Sequence, residues 1–346
     1  MDLEAALRDQ VARATGRPQD GAPVLRLKGD ASNRCYLRVG TWPDSLVVMV
    51  LPELARTSEE ASGSAVPSEL PFVDVQRYLA RLGVRVPAIL RHDEGAGMLV
   101  LEDLGDVTLE RALLGQPAEE LYRAAVDLLA RLRAAAEAAP APDSIAFRRA
   151  FDEELYLWEL DHFRQWGLEA WSGRTPTAGE REVLEQAFRS IARRLAGAPR
   201  GFTHRDYQSR NLMLTGGELV VIDFQDALQG PRAYDLVALL RDSYVALDDG
   251  LVEAMLDRYL AVLAPGGARR ADRVEFRRYF DLLTLQRKLK DAARFEFIHR
   301  VKHNPGFLPH IPQSLAYVRT AFERLADDAA VLALRRVAGR YLPELA

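Results

Sequence analysis

Short apolar runs separated by turn residues dominate the first hundred residues of the chain. Runs of this kind, which alternate between apolar and polar residues or are continuously apolar, are typical of β-strands. We therefore predict five strands, over residues 24–27, 36–39, 46–51, 87–90 and 98–101. Two amphipathic segments, residues 1–16 and 71–82, predict helices. Residues 52–68 are rich in Pro, Ser, Glu and Ala and predict a loop.

The rest of the chain has a helical pattern that is interrupted by one β-hairpin. Two apolar runs over residues 212–222 flank Gly216-Gly217, which is a turn signal. Residues 140–142 and 265–267 contain Pro and predict loops. We expect an α+β fold of two lobes, a small β-rich lobe over residues 1–103 and a larger helical lobe over residues 104–346.

Composition excludes several classes of protein. The 346 residues are 48% hydrophobic, which is enough for a sizeable core. A net charge of −4 argues against a dedicated nucleic-acid binder, which would be basic. The single Cys35 fits a reducing cytoplasm. The early acidic residues and the lack of a long apolar core lead us to expect no secretory signal at residues 1–7, and the longest apolar run, residues 46–51, is too short to span a bilayer. We expect a cytoplasmic protein with no membrane contact and no obligate protein partner.

Two motifs carry the candidate chemistry. His204-Arg205-Asp206 is followed by Asn211, and Ile222-Asp223-Phe224 ends the second apolar run of the hairpin. This order and spacing are typical of kinase-type phosphotransferases, which transfer the γ-phosphoryl group of ATP with the help of Mg²⁺. Asp206 is then the candidate base that orients the acceptor hydroxyl. Asn211 and Asp223 are the candidate ligands of Mg²⁺.

The hairpin supports this interpretation. Either motif alone is weak, because an H-R-D triplet also occurs in solvated loops and an Asp often ends a strand. A hairpin over residues 212–222 brings its two ends together, so we expect Asn211 and Asp223 to lie side by side. The pattern predicts a protein-kinase-like fold, in which residues 1–103 bind the nucleotide and residues 104–346 carry catalysis and the substrate site.

Three further sets of residues are candidates for binding the nucleotide. Glu102 and Leu104 lie where the hinge between lobes is expected, so their backbone groups are candidates for pairing with adenine. The alternative is an ordinary strand-to-helix turn. The turn near Gly29 has no G-x-G-x-x-G pattern, but the amides around Ser32 and Asn33 are suited to cap a phosphate, and Arg34 is the best-placed cation. The alternative there is a hairpin turn with surface cations.

The motifs resemble the aminoglycoside phosphotransferase and choline kinase superfamily. The resemblance rests on residues 204–211, on Ile222-Asp223-Phe224 and on Asp235 within Gly230-Pro231-Arg232-Ala233-Tyr234-Asp235-Leu236. It implies a kinase-like fold and phosphorylation of a small molecule with ATP and Mg²⁺. It also implies that Asp235 is structural and braces the catalytic loop by hydrogen bonds.

Four separated motifs resemble a narrower group, the anomeric sugar kinases of bacterial cell-wall recycling. They lie over residues 29–38, 204–213, 223–227 and 285–290. This resemblance implies that the substrate is N-acetylmuramate or N-acetylglucosamine, and that its C1 hydroxyl is phosphorylated. Two alternatives stay open: a kinase of another small alcohol or of an aminoglycoside, and a nucleotide-binding pseudokinase.

The pseudokinase alternative rests on the poor glycine loop near Gly29 and on Met49, which stands where the third strand of a kinase carries a Lys for the phosphates. The sugar kinases that the chain resembles also have Met at this place, but they follow it with Asp, whereas this chain has Val50.

Substrate contacts are predicted for several polar residues. Asp226 follows the metal motif and is suited to accept sugar hydroxyls. Arg287 and Lys290 share a helical face and are suited to bind a carboxylate or a phosphate; the alternative is a solvated basic helix. Tyr207 and Arg210 lie in the catalytic loop, and either shape the pocket or brace the loop. Trp158, Trp166 and Trp171 form either a sugar-stacking wall or ordinary packing, which we favour.

Overall fold

The computed structural model describes residues 2–27, 34–51, 69–263 and 270–346. The chain forms two compact units, each of which is built from two separate stretches of sequence. The first unit comprises Met1–Gly115 and Arg210–Asp226, and the second comprises Gln116–Ser209 and Ala227–Ala346. The predicted boundary after residue 103 stays a prediction.

An antiparallel five-stranded sheet forms the centre of the first unit. Its strand order is β1-β2-β3-β5-β4. The strands are β1 (Val24–Arg26), β2 (Cys35–Val39), β3 (Leu46–Val50), β4 (Ile89–Asp93) and β5 (Met98–Glu102). The two most apolar runs, β3 and β5, take inner places because a strand that is flanked on both sides is the most buried. All five predicted strands are thus confirmed.

Two helices of the first unit confirm the amphipathic pattern. Helix α1 (Leu3–Thr15) begins at Asp2, whose carboxylate accepts the N–H of Glu4, and it buries Leu7 and Val11 against the sheet. Helix α2 (Pro71–Arg81) begins with Pro, which is favoured there because the first N–H of a helix has no partner within the helix and its absence costs nothing. A short helix, α3 (Leu109–Ala112), follows the sheet. The predicted loop over residues 52–68 lies outside the described residues.

The β-hairpin also belongs to the first unit. Strands β7 (Leu212–Thr215) and β8 (Glu218–Val221) pair from Leu212 opposite Val221 to Thr215 opposite Glu218. Gly216 and Gly217 connect them with φ values of 60° and 83°. Two consecutive residues with positive φ make the tight turn whose twist suits a hairpin, and Gly adopts such values without strain. Met213 and Val220 pack against Leu104 on one face.

Helices dominate the second unit. They are α4 (Ala118–Ala138), α5 (Ile145–Arg148), α6 (Glu153–His162), a π-helix (Phe163–Ala170), α7 (Ala178–Ala196), α8 (Tyr234–Leu240), α9 (Asp249–Leu263), α10 (Arg270–Lys302), α11 (Ile311–Arg324), α12 (Ala329–Tyr341), and 3₁₀ turns at Ser209–Asn211, Pro305–His310 and Pro343–Leu345. The 3₁₀ turn at Ser209 runs into the first unit. No helix in the described part of the chain is long and apolar enough to cross a membrane.

The second unit also contains a two-stranded sheet, so the expectation that only the hairpin interrupts the helices was wrong. Strand β6 (Arg200–Thr203) pairs antiparallel with β9 (Leu228–Pro231). The strands approach closely at Gly230, where a Cβ atom would lie 2.7 Å from the Thr203 hydroxyl oxygen. The predicted loop at residues 140–142 is confirmed, and the one at residues 265–267 lies outside the described residues.

Candidate functional site

The hairpin brings the two candidate metal ligands together. Asn211 precedes β7 and Asp223 follows β8 by two residues. The N–H of Ile222 donates to the carbonyl of Asn211 at 3.0 Å, which extends the ladder to the open end. The Asn211 side-chain amide then lies 3.5 Å from an Asp223 carboxylate oxygen. The expected proximity of these side chains is therefore confirmed.

The donor set of this pair suits Mg²⁺. Carboxylate and amide oxygens are hard ligands, and Mg²⁺ is usually held by one or two carboxylates together with waters and substrate phosphates. In the described ranges no three His, Cys, Asp or Glu side chains come together, so a Mg²⁺ ion at this pair would take its remaining ligands from waters and phosphates. Asp223 takes a φ of 62°, and its Oδ1 accepts the Gln225 side-chain amide at 2.9 Å. The carboxylate is thus held in place by a neighbour that sequence reasoning missed.

The loop that carries Asp206 is braced from beneath by Asp235. The backbone N–H groups of His204 and Arg205 donate to the two carboxylate oxygens of Asp235, at 2.8 and 2.9 Å. Arg205 has a φ of 79°, so the chain turns sharply there. Burial raises the pKa of Asp235, although the two N–H groups act in the opposite direction. This is the bracing that the resemblance implied.

A second carboxylate, that of Asp242, holds the far end of the loop. It accepts the N–H and the hydroxyl of Ser209, at 2.9 and 2.5 Å, and the N–H of Tyr244 at 3.0 Å. Asp242 and Ser209 are both fully buried. The sequence offered no local signal for this contact, because Asp242 lies far along the chain from Ser209.

Asp206 itself is held on one side and accessible on the other. Its N–H donates to Nδ1 of His204 at 3.2 Å, and Arg287 donates to its Oδ1 at 3.1 Å. The side chain is 36% exposed. Burial acts to raise the pKa of Asp206, but the charges of Arg287, Lys290 and Arg205 outweigh it, so the pKa lies below its usual value. The side chain is therefore an ionised carboxylate that a solute can reach.

Arg287 and Lys290 are not part of a solvated basic helix. Arg287 is fully buried, and its guanidinium also donates to the carbonyl of Arg205 at 2.8 Å. The Lys290 ammonium lies 3.3 Å from Asp291, and the residue is nearly buried. That alternative was wrong because α10 turns this face inward. Substrate contact by either residue stays a prediction.

The other predicted substrate residues differ in their surroundings. Tyr207 is fully buried and its hydroxyl donates to the carbonyl of Ala125 at 2.9 Å, so its contacts are those of a brace. Arg210 forms two hydrogen bonds to Glu110, at 2.8 and 3.0 Å, which likewise fixes its side chain. Asp226 is half-buried beside Gln225. Its predicted role in binding sugar hydroxyls stays a prediction.

Aromatic side chains cluster on α6 and the π-helix. Trp158 stacks on His162 with ring centres 5.5 Å apart, and Trp166 meets Phe297 edge-on at 5.1 Å. Trp158 nevertheless stays 45% exposed, and Trp171 is also exposed. Packing accounts for Trp166, whereas a sugar-stacking role for the exposed rings stays a prediction.

Of the predicted phosphate-binding residues, Ser32 and Asn33 lie outside the described residues. Arg34 is described and hydrogen-bonds to Tyr36, which sequence reasoning missed. Burial raises the pKa of Tyr36 to about 12; Arg34 opposes this rise and the charge of Asp223 adds to it. Tyr36 thus lies within electrostatic reach of both Arg34 and Asp223, and it faces Met49 across the β2–β3 pair. Met49 is fully buried.

At the predicted hinge, backbone and side chains are already partly engaged. The N–H of Glu102 donates to the carbonyl of Ala88 at 2.9 Å, and its carboxylate pairs with Arg85. The carbonyl of Leu104 accepts the Thr215 hydroxyl at 2.6 Å. These bonds engage the N–H of Glu102 and one lone pair of the Leu104 carbonyl, and the pairing of this segment with adenine stays a prediction.

Between these two residues, Asp103 anchors the strand end to the sheet. Its carboxylate accepts two bonds from Arg38, at 2.5 and 2.9 Å, one from Ser45 at 2.6 Å and one from the N–H of Gly105 at 2.9 Å. Burial acts to raise the pKa of Asp103, but these donors outweigh it and lower the pKa. The anchored carboxylate fixes the segment that leads from Glu102 to Leu104.

Comparison with known proteins agrees with this geometry. Residues 23–273 match the phosphotransferase enzyme family. The chain belongs to this family. A curated relative, the N-acetylmuramate/N-acetylglucosamine kinase of Pseudomonas aeruginosa, is 35% identical over 314 residues, which cover 89% of this chain and 86% of that protein. The resemblance inferred from the separated motifs is thus confirmed, and this phosphotransferase is an enzyme.

Two solved structures share the fold of the phosphotransferase. A choline/ethanolamine kinase family protein from Mesorhizobium loti has a TM-score of 0.61 at 16% identity, covering 97% of this chain and 100% of that one. An ADP-bound aminoglycoside phosphotransferase has a TM-score of 0.55 at 14% identity, covering 92% and 98%. They confirm the predicted kinase-like α+β fold, with a sheet in its N-terminal part and a larger helical C-terminal part.

Proposed function

We propose that this phosphotransferase is a cytoplasmic amino-sugar kinase that uses ATP and Mg²⁺. Its acceptor is the C1 hydroxyl of N-acetylmuramate, N-acetylglucosamine or both, and its product is the sugar 1-phosphate that peptidoglycan recycling would return to nucleotide-sugar synthesis. The observation that carries the substrate assignment is the 35% identity, over 89% of the chain, to a kinase named for these two sugars.

In this proposal Asp206 is the proton acceptor. The C1 oxygen of the sugar attacks the γ-phosphorus, the bond from that phosphorus to the β,γ-bridging oxygen breaks, and the hydroxyl proton passes to Asp206. The lowered pKa of Asp206 supports this role, because the carboxylate is already ionised at neutral pH. A carboxylate with a lowered pKa is a weak base, which suits a loose transition state in which the proton leaves late.

The remaining roles follow from the contacts. Asn211 and Asp223 hold Mg²⁺, which neutralises charge on the phosphates when it is bound. Adenine pairs with backbone groups of Glu102 and Leu104. Arg34 takes over the neutralising role that a Lys in the place of Met49 has in other kinases, and its hydrogen bond to Tyr36 supports this because Tyr36 lies within electrostatic reach of Asp223. The anionic and cationic groups that phosphoryl transfer requires are thus all assigned.

The test is Mg²⁺-dependent ATP consumption on a panel of acceptors: N-acetylmuramate, N-acetylglucosamine, glucose, galactose, choline and kanamycin. Phosphorus NMR of the product gives the position of the phosphate. We expect turnover on the N-acetyl sugars and an anomeric phosphate. Turnover confined to choline or kanamycin would replace the sugar assignment. ATP binding without turnover on any acceptor would reject the proposal in favour of a protein that only binds nucleotide.

A further inference from the structure

Helix α10 places the buried side chain of Arg287 against the loop that carries Asp206. The Arg287 guanidinium donates to the carbonyl of Arg205 at 2.8 Å and to Oδ1 of Asp206 at 3.1 Å. The two contacts use different nitrogens of one rigid, planar group, so they fix the relative positions of the backbone and of the carboxylate. No part of Arg287 is exposed to solvent.

Arg287 is itself held by two further contacts. Its guanidinium lies over the Tyr234 ring, 5.0 Å from the ring centre. Its Nε lies 3.7 Å from a carboxylate oxygen of Asp291, one helical turn further along α10. Asp291 in turn pairs with Lys288 at 2.7 Å and with Lys290 at 3.3 Å. A buried Arg needs such partners, because an uncompensated charge in the interior is strongly destabilising.

We propose that Arg287 is a positioning residue for the proton acceptor: it sets the direction of the Asp206 carboxylate from below, so that the exposed edge meets the acceptor hydroxyl. This inference rests on the proposed role of Asp206 as base. It assigns Arg287 no contact with the sugar. The sequence had suggested that contact because Arg287 shares a helical face with Lys290.

The burial of Arg287 favours a role in positioning Asp206 over a role in binding the substrate. A residue that binds the substrate carboxylate must present its charge to an entering solute, and Arg287 has no solvent-accessible surface through which to do so. Two of its donors are already used within the protein, at the Arg205 carbonyl and at Asp206. A positioning residue needs both of these features.

The same contact makes the pH dependence of the reaction informative. The charged and titratable groups that face Asp206 are Arg287 and Lys290 from α10, and Arg205 and His204 from the loop. Removing the charge at position 287 should therefore raise the pKa of Asp206. Because the base must be ionised, the acidic limb of the kcat profile should move to higher pH.

Two substitutions distinguish geometry from charge. Arg287→Met removes both, so we expect kcat to fall about 10- to 100-fold on both sugars, with KM little changed and the acidic limb displaced upward. Arg287→Lys keeps the charge, but a single ammonium cannot reproduce the planar two-point contact. For this variant we expect a smaller fall in kcat and an acidic limb close to that of the wild type. Arg300→Met, an exposed position on the same helix, is the matched control.

The opposite kinetic pattern would overturn the inference. If Arg287 bound the substrate, both variants would raise KM for N-acetylmuramate, which carries a carboxylate, far more than for N-acetylglucosamine, and kcat and the acidic limb would be unchanged. Should Arg287→Met fail to fold, Arg287→Lys decides by the same comparison of kcat with KM.

A double-mutant cycle keeps the inference separate from the proposed function. Urea unfolding of the wild type, Asp206→Asn, Arg287→Lys and the double variant measures whether the two side chains interact, with or without turnover. If the wild type did not turn over either sugar, the proposed function would be rejected, but the unfolding measurements of the cycle would still test the interaction between Asp206 and Arg287. Wild-type turnover together with an additive cycle and an undiminished kcat for Arg287→Lys would reject the positioning role alone.

Discussion

The candidate metal ligands and the candidate base are neighbours in the sequence, but they are held in different ways. Asn211 and Asp223 are brought together by the hairpin between them, so a short continuous segment contains most of the information. Asp206 lies in a loop whose contacts come from Asp235, Asp242 and Arg287, all distant in the sequence.

Because of this difference, the hairpin and the loop should be sensitive to different kinds of substitution. The hairpin pair depends on register and on a turn, so it responds to changes of backbone conformation in a few residues. The loop depends on buried carboxylates and a buried guanidinium, and removal of one partner leaves another polar group without compensation. The variants below test whether the two regions fail in these separate ways.

The largest effect is expected at Asp206. Asp206→Asn keeps the size of the side chain and removes the proton acceptor, so kcat should fall about 10²- to 10⁴-fold. Although the side chain is 36% exposed, it compensates the charge of the buried Arg287, so the urea midpoint should also fall. Stopped assays with N-acetylglucosamine and a parallel unfolding curve measure both. An active variant would show that Asp206 is not the base.

The next effect is expected at Asp223 and concerns the metal. Asp223→Asn replaces a carboxylate by a neutral amide, so the Mg²⁺ concentration for half-maximal rate should rise by at least about tenfold. Titration of MgCl₂ at constant ATP measures this shift, and Gln225→Ala should show a weaker shift in the same direction. An unchanged Mg²⁺ requirement in Asp223→Asn would contradict the assignment of the hairpin pair.

Asp235→Asn tests the long-range bracing. The amide oxygen of Asn can still accept one backbone N–H, but the amide NH₂ group would face the other backbone N–H. We therefore expect a loss of about 1–3 kcal/mol in the free energy of unfolding. Activity should fall along with the order of the loop, with an unchanged Mg²⁺ requirement. If Mg²⁺ affinity fell instead, the loop and the hairpin would not be separable.

The smallest effect is expected in the hairpin turn. Gly217 has a φ of 83° and open space around its Cα, so Gly217→Ala should cost about 1–2 kcal/mol through backbone strain alone. Gly115→Ala is the matched control, because that position also has open space but no positive φ. Urea unfolding of the two variants measures the difference. Equal stabilities would indicate that the turn conformation is not strained by a side chain.

The sequence predicted what local pattern determines. The five strands, α1, α2 and the hairpin follow from apolar periodicity and a Gly-Gly turn, and the Asn211–Asp223 proximity follows from the hairpin. Strand β9 was missed because its Gly230-Pro231 ending is typical of a turn. Its partner β6 was missed because it is short and partly polar, and its pairing depends on a segment remote in sequence.

The contacts of the loop were beyond local pattern for a related reason. The segment around Arg287 and Lys290 has the composition of a solvated helix face, and only the packing of the second unit shows that this face is buried. Asp242 likewise gave no signal, because a carboxylate after an apolar helix is common in any fold. Burial of charged residues is decided by tertiary structure, which residue spacing does not report.

The two units alternate along the sequence, and this limits where recombination between related genes can yield a stable protein. Residues 210–226 belong to the first unit, although second-unit segments flank them on both sides. A single crossover near residue 115 would therefore join a sheet from one parent to a hairpin from the other, and would pair Leu104 with foreign residues in place of Met213 and Val220. Chimaeras that preserve each unit need three junctions, so recombination by a single cut should mostly yield unstable proteins.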